Sequence, residues 1–527
     1  MERRTFISGG AAALAATALG ACDAAPRPAP GPSAATPPSA TTATTALTAK
    51  GSPGGTRPAA KNWSGLGHDL DGTLVRPGDA NWTPARRLYN TRFDGLRPAA
   101  VAYPAHTGDI RTVLAYARAH GIKVAIRNGG HSYGGYSSGD GRLILDVSAL
   151  NRVSASGGQA VVGAGAKLID VYRGLAAKGV TIPAGSCPTV GVSGLVLGGG
   201  HGVASRAYGL TCDNLTRATL ITADGTEVTA DAGHHADLFW ALRGAGNGNF
   251  GVVTELRFRT HPAPKAVTAY LSWPWSKAAA VVKAWQEWGP SQPDEIWSAL
   301  HLECSPGRTP TVSVSCFSLG TYGGLQNAVD RLAHSAGANA SSVTLRRRGY
   351  EEAMEIYAGC SGLATDAQCH LPGTTPGRSP RGALRRETYA AHSDFFDRSL
   401  SAAGIQTLLR QIGAVRGGAG SIALTALGGA VNRVSPTATA FVHRRSRMLA
   451  QYIVSWTEGT SGNAARSWLD AAHGAMRPYA SGAAYQNYTD PTLGDWRTAY
   501  YGSASARLAE VKKSYDPKRF FTSPQGL

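Results

Sequence analysis

Residues 126–141 read IRNGGHSYGGYSSGDG, a stretch in which six glycines and two tyrosines surround one histidine, His131, directly after an apolar run. A second glycine-rich segment, GSCPTVGVSGLVLGGGHG (185–202), carries Cys187 and His201, and a third, GAGNGNFGVV, spans 244–253. Lacking a Cβ, glycine lets backbone N–H groups approach phosphate oxygens closely, and successive N–H groups in a turn make an anion-binding concavity. Three such segments in about 125 residues, none matching a P-loop or a strand-turn-helix dinucleotide fingerprint, point to a large cofactor threaded between two halves of a domain. Near the C-terminus, AYQNYTDPTLGDW (484–496) sets two phenols, Tyr485 and Tyr488, beside Asn487. A free phenol ionises near pH ~10, so a tyrosine serves as a base only where its surroundings favour the phenolate. By residue type alone each has an ordinary reading as well. His131 suits a hydrogen-bonded loop, Cys187 a buried small position, and the tyrosines core sites with satisfied hydroxyls. Neither zinc-ligand spacing nor a C-x-x-C pair occurs, so no metal site is expected.

The elements that must hold these groups are mixed α and β. The stretch from 97 to 131 predicts a strand near 100–103, a helix capped by Thr107 with Asp109 in its first turn, a stop at Gly121 and a strand at 122–126. GRLILDVSAL reads as a buried strand, and QAVVGAGAKLIDVYRGLAAKGVTIP as strand, glycine turn and helix. Past residue 265 the texture changes. AVTAYLSWPW, EIWSALHLEC, TVSVSCFSLG, IALTALGGAVNRV and AQYIVSWTEG read as strands of an antiparallel sheet, with helices near 276–288, 322–337, 396–413 and 462–478. The expected organisation is α+β: a cofactor domain at 62–265, a substrate domain at 266–480 with an antiparallel sheet backed by helices, and a C-terminal segment, 481–527. Trp273, Trp275, Trp285, Trp288 and Trp297 all fall in the substrate domain, where each is either core or a platform for a sugar ring.

With 527 residues, 43% of them hydrophobic, the chain buries a core large enough for more than one domain. Its 52 Lys+Arg outnumber 34 Asp+Glu, a formal charge of +18, yet the basic residues are scattered. Clusters such as Arg346-Arg347-Arg348 and Arg444-Arg445 lack interleaved aromatics or a nucleic-acid module, so the excess reads as a solvated basic surface and no nucleic acid is expected as partner. Residues 1–22 pair Arg3-Arg4 with a Gly/Ala-rich apolar run too short to span a bilayer, resembling a twin-arginine export signal. LGAC (19–22) resembles a lipobox, which would acylate Cys22 and make that lipid the chain's one membrane contact. Residues 23–61, rich in Pro, Ala, Thr and Ser, read as a disordered tether. In an oxidising compartment the spacing of Cys304 and Cys316 fits a disulfide across two neighbouring strands, and Cys360 with Cys369 fits a short loop closure. Cys187 and Cys212 are left over.

Taken together, RNGGHSY, GSCPTVGVSG and the Tyr-x-Asn-Tyr stretch resemble the vanillyl-alcohol oxidase/p-cresol methylhydroxylase superfamily of flavoproteins, and within it the berberine bridge enzyme-like oxidases. The resemblance covers roughly 90–265 and returns at 420–527. It implies a two-part FAD-binding domain of the p-cresol methylhydroxylase type and a bicovalent FAD, joined through His131 and Cys187. The cofactor would be bound by Arg127, Asn128, Gly129, Gly130 and Ser132 around the histidine, and by Val190, Gly191, Ser193, Gly194, Gly198 and Gly199 after the cysteine. Asn249, Gly251 and Val253 would contribute from the third segment and Asn487 from the C-terminal one. By the same resemblance Tyr485 is the better candidate for the base that takes a substrate hydroxyl proton, with Tyr488 near the ring and Tyr133 facing substrate. Val190, three residues after the linked cysteine, implies O2 as electron acceptor. Two attachments hold a flavin in one pose and raise its reduction potential, making it a stronger hydride acceptor. The chain departs from the family's usual paired glycines at Ser193-Gly194 and from its usual ending at Gln525-Gly526-Leu527, and His201 stands where aromatic residues are common. The expected reaction is oxidation of an alcohol, a saccharide first and a secondary metabolite second. The competing readings are a binding lipoprotein that keeps the fold without turnover and a dehydrogenase that uses another electron acceptor.

Overall fold

The computed structural model describes residues 62–527, so the expected signal, Cys22 and the tether lie outside the described residues. The N-terminal half is built on two sheets. In the first, Leu143–Asp146 lies between Ala100–Tyr103 and Val124–Arg127, parallel to both, and Thr73–Val75 closes the outer edge antiparallel. A strand covered on both faces reads as a continuous apolar run rather than an alternation, which is why LILD is buried throughout. The second sheet is antiparallel, in the order Val153–Ser156, Gln159–Gly163, Val252–Arg259, Leu215–Ile221, Glu227–Asp231. Helix Thr107–Ala119 is capped one residue earlier than its sequence predicts, because the His106 ring rather than Thr107 accepts the Asp109 N–H. Asp109 is buried and accepts from the backbone N–H groups of Asp71, Gly72 and Ala105, so it pins the preceding loop.

The second half is one seven-stranded antiparallel sheet. Its order is Ser342–Arg348, Ala266–Trp273, Thr311–Ser318, Ile296–Cys304, Ala419–Ala426, Met448–Ser455, Tyr389–Phe396. Helices Ala278–Trp288, Tyr322–Ser335, Ala402–Gly413 and Asn463–Met476 pack on one face and share a core with it. Period-two alternation sorts the side chains: Ile296, Leu300, Leu302 and Cys304 enter that core, while Trp297, Ala299 and His301 line a cavity on the other face. The arrangement is the expected α+β class.

The run Arg346-Arg347-Arg348 is largely exposed, as a solvated basic surface requires, on an edge strand paired only with Ala266–Trp273, where charge on the free side discourages pairing with another chain. Several local expectations are corrected. The helix expected from 396 begins at Ala402, because 389–396 is itself a strand. The strand expected through GGAVNRV stops at Ala426, since Gly428 and Gly429 take positive φ and Ala430–Arg433 turns helical. Cys304 and Cys316 are both buried and free. The hairpin register sets Cys316 opposite Ser298, six residues back from Cys304, roughly 20 Å along a strand, against the ~7 Å limit between bridged Cα atoms. Cys360 and Cys369 do form a disulfide, with Cα atoms 5.7 Å apart.

Candidate active site

The first two glycine segments interlock. A Cβ on Gly129 would stand 2.5 Å from both the Gly191 nitrogen and the Thr189 carbonyl oxygen, and one on Gly191 would stand 2.2 Å from Asn128 Cγ. Only two chains without side chains at those points approach so closely. Asn128 fixes the junction: its Nδ2 donates to the carbonyls of Ala164 and Ala166 and to Ser193 Oγ, and its Oδ1 accepts from Lys167 Nζ. Lys167 also donates to Ser148 Oγ and Gly165 O, and burial pushes its ammonium down to about 8. Ser193, which replaces a glycine expected from the resemblance, thus turns its hydroxyl to Asn128. The guanidinium of Arg127 is committed to Asp146 and the Ala85 carbonyl beneath the loop.

Above this junction lies a cavity of about 360 Å³, within the ~300–1,000 Å³ typical of ligand sites. Residues from all three glycine segments, the seven-stranded sheet and the C-terminal segment line it. Gly194 and Gly248 have open space where a Cβ would stand, and both belong to the lining. Side-chain-free backbone facing a large cavity fits a bulky ligand with anionic groups, as FAD is. His131 sits in the wall with its Nε2 2.8 Å from Thr189 Oγ1 and its ring stacked on Tyr89, centroids 4.0 Å apart. Burial, helped by the charge of Lys167, lowers its pKa to about 3, so the imidazole is neutral. Cys187 lines the same cavity, as do Gly130, Ser132, Val190, Asn249 and Asn487. Four residues of the expected cofactor set lie off the lining. Gly198 and Gly199 make room for Asn487 and Phe441, Gly251 packs on the Ile221 carbonyl, and Val253 pairs with Leu220 inside a sheet.

Tyrosines cluster on the opposite side. Tyr485 is buried, and its hydroxyl oxygen accepts from the Gly200 N–H and from Asn487 Nδ2, both at 2.9 Å. Burial raises its pKa, and those two donors only partly offset the effect. Tyr488 opens to the cavity with its hydroxyl 2.7 Å from His201 Nε2. Burial lowers His201 to about 4, so its imidazole is neutral and weakly basic, and its Nδ1 is buried with no hydrogen-bond partner. Tyr133 stacks on Tyr488 at 5.2 Å, and its hydroxyl accepts from Gln451 Nε2 of the sheet. His392 anchors the segment from below, with Nδ1 2.6 Å from Asp490 and Nε2 2.9 Å from Asp470.

The sheet supplies the floor: Trp297, Ala299 and His301 from one strand, Ala423 and Thr425 from the next, and Gln451 from a third. Of the five tryptophans considered as sugar platforms, only Trp297 lines the cavity. Trp273, Trp285 and Trp288 are core residues whose indole N–H groups donate to Ala338 O, Ser298 Oγ and Ala328 O, and Trp275 packs beside that core. Sequence reasoning missed His301, Thr425 and Gln451. The alternation in IWSALH would have found His301 once Trp297 was given a face.

The C-terminal tail closes the third segment. Leu527 N donates to Asn249 Oδ1, Lys512 Nζ donates to the Asn249 and Phe521 carbonyls, and Gln525 Nε2 donates to Asp490 O. These two regions, the glycine segments and the tail, are the ones that family profiles match: "FAD binding domain" over residues 98–231 and "Berberine and berberine like" over 484–527. An FAD-linked oxidoreductase of Bacillus subtilis, YgaK, is 29% identical over 87% of this chain and 97% of its own length. A chitooligosaccharide oxidase of Gibberella zeae is 29% identical, covering 85% of this chain and 91% of that one. The solved structure of the berberine bridge enzyme-like protein 1 of Physcomitrella patens superposes with a TM-score of 0.80 at 30% identity, over 88% of this chain and 98% of the other. With the fold, both sequence signatures and the cavity between them in agreement, the chain belongs to the berberine bridge enzyme-like family of FAD-linked oxidoreductases.

Proposed function

We propose that this chain is an exported oxidase that converts an alcohol carbon of a saccharide to a carbonyl, using FAD attached through both His131 and Cys187. The observation that carries the reading is the convergence, in one cavity, of both attachment candidates, two tyrosine hydroxyls and a floor that is half apolar and half polar. When bound, FAD supplies a two-electron acceptor for hydride, and dioxygen returns it to the oxidised form with release of hydrogen peroxide. The remaining work falls to side chains. Both phenols line the cavity; the Tyr485 oxygen accepts from two donors that favour its phenolate, whereas the Tyr488 hydroxyl is paired with His201 Nε2. Tyr485 therefore takes the substrate hydroxyl proton, its phenolate favoured by the Gly200 N–H and Asn487 Nδ2, with Tyr488 and His201 lining the cavity beside it. Trp297 offers an apolar face to a pyranose ring, while His301, Thr425 and Gln451 offer hydrogen bonds to hydroxyls. The similarity to a chitooligosaccharide oxidase supports a saccharide as substrate, and Val190 in the lining supports dioxygen as acceptor.

Two measurements test this. Acid precipitation of the purified chain is expected to leave yellow colour with the polypeptide, and intact mass to exceed that of the processed chain by one FAD. A peroxide-coupled screen over chitooligosaccharides, xylo- and cello-oligosaccharides is expected to give turnover with at least one of them. Colour that washes off in acid would remove the attachment, and a colour-retaining protein that releases peroxide only with non-sugar alcohols would remove the saccharide.

A further inference from the structure

We propose that Thr189 is a positioning residue for flavin attachment at His131, holding the imidazole by Nε2 so that Nδ1 is the nitrogen left to form the bond. The inference rests on His131 being an attachment point and adds the residue that prepares it. The ring is held from two directions: Tyr89 stacks against its face at 4.0 Å and 19°, and Thr189 Oγ1 lies 2.8 Å from Nε2 at its edge. Thr189 is held in place, because it is buried and one of the close approaches of the two glycine segments runs through its own carbonyl, opposite Gly129. No described residue hydrogen-bonds to Nδ1. The hydroxyl therefore selects which nitrogen is occupied, and it comes from the segment that carries Cys187, two residues away.

A hydroxyl suits this position for a chemical reason. Joining an imidazole nitrogen to a ring methyl replaces one N–H and one C–H bond by a C–N bond and leaves two electrons and two protons on the flavin, which dioxygen removes as hydrogen peroxide. Before that event Nδ1 needs its lone pair, so the ring proton sits on Nε2 and is donated to Thr189 Oγ1. Afterwards Nδ1 carries carbon and Nε2 has no proton, so Nε2 must accept instead. A threonine hydroxyl turns from acceptor to donor by rotating about one bond. A second-sphere partner that fixes ring orientation and tautomer is how proteins commonly prepare a histidine for bonding. Burial, which keeps the ring neutral, works in the same direction.

The test uses the full chain carrying Cys187→Ala, so that any acid-stable flavin reports on His131 alone. Covalent flavin per polypeptide is read by intact mass and by fluorescence of the denatured band, and total flavin by absorbance before denaturation. Thr189→Val is expected to keep bound flavin but lower the acid-stable fraction at least tenfold at equal incubation, and Thr189→Ser to restore it. Full attachment in Thr189→Val would overturn the proposal while leaving the attachment reading intact. Absence of acid-stable flavin from both the Cys187→Ala parent and the unmodified chain would overturn the reading itself. Loss of all flavin from both Thr189→Val and Thr189→Ala would also overturn the proposal, since Thr189 would then hold the segments together rather than the ring.

Discussion

The two walls of the cavity are made in opposite ways. The cofactor wall is backbone: contiguous segments at 127–133 and 187–194, in which the absence of side chains at Gly129 and Gly191 lets two chains interlock. The sheet wall is side chain: every second residue of three antiparallel strands, with Trp297 and Gln451 brought from positions 154 apart in the sequence. Where the two segments interlock, at Gly129 and Gly191, the backbone wall has no room for an added atom, whereas a wall of alternating side chains leaves each position open to exchange. The first suits a fixed cofactor and the second a changing substrate.

Substitutions on the two walls are expected to fail in different ways. The largest effect belongs to the group between them: Tyr485→Phe removes the phenol proposed as base, and should lower the rate of flavin reduction by ~10²–10⁴-fold in stopped flow. Next comes the backbone wall. Gly191→Val puts carbon where Asn128 Cγ already stands, so the segments must separate; flavin content should fall sharply and thermal stability by more than the ~1–3 kcal/mol of ordinary overpacking. Survival of full flavin content would break the contrast.

The sheet wall is expected to answer in affinity alone. His301→Ala and Gln451→Ala each remove one floor hydrogen bond and should raise KM for a turned-over oligosaccharide by about tenfold with little change in kcat. Trp285→Phe is the control from the opposite face of the same sheet: it loses the bond to Ser298, and should lower stability by about 1–2 kcal/mol while leaving KM unchanged.

The smallest test is pH. His301 and His443 are buried and His201 is half-buried; all three are neutral, each lowered by desolvation to about 4. Because the unfolded chain takes up these protons near pH ~6.5 and the folded chain does not, stability falls as pH drops from 6.5 toward 4. His392 acts in the other sense. Burial alone would lower it, but Asp490 and Asp470 outweigh burial and raise it. Its contribution is complete below about pH 6.5 and is lost as pH rises through the elevated value. A melting-temperature profile should therefore decline on both sides, and His392→Gln should flatten only the alkaline side.

Legibility followed the same division. The attachment candidates, the glycine segments and the Tyr-x-Asn-Tyr stretch stood out because each is contiguous and its residue types are chemically specific. The floor did not, because Trp297 and Trp285 look alike in sequence and only strand phase separates the cavity face from the core face. The Cys304–Cys316 expectation failed for the same reason: twelve residues of hairpin leave the register open, and register decided the distance.

What the sequence by itself determined is where backbone must come close to something large and anionic, since a run of glycines carries that requirement locally. Only the tertiary structure decided which phenol is held by two donors, which glycines serve packing rather than the cavity, and which tryptophan lines it. Those outcomes depend on how strands and segments far apart in the chain are set against each other, and burial and register, not residue type, fix them.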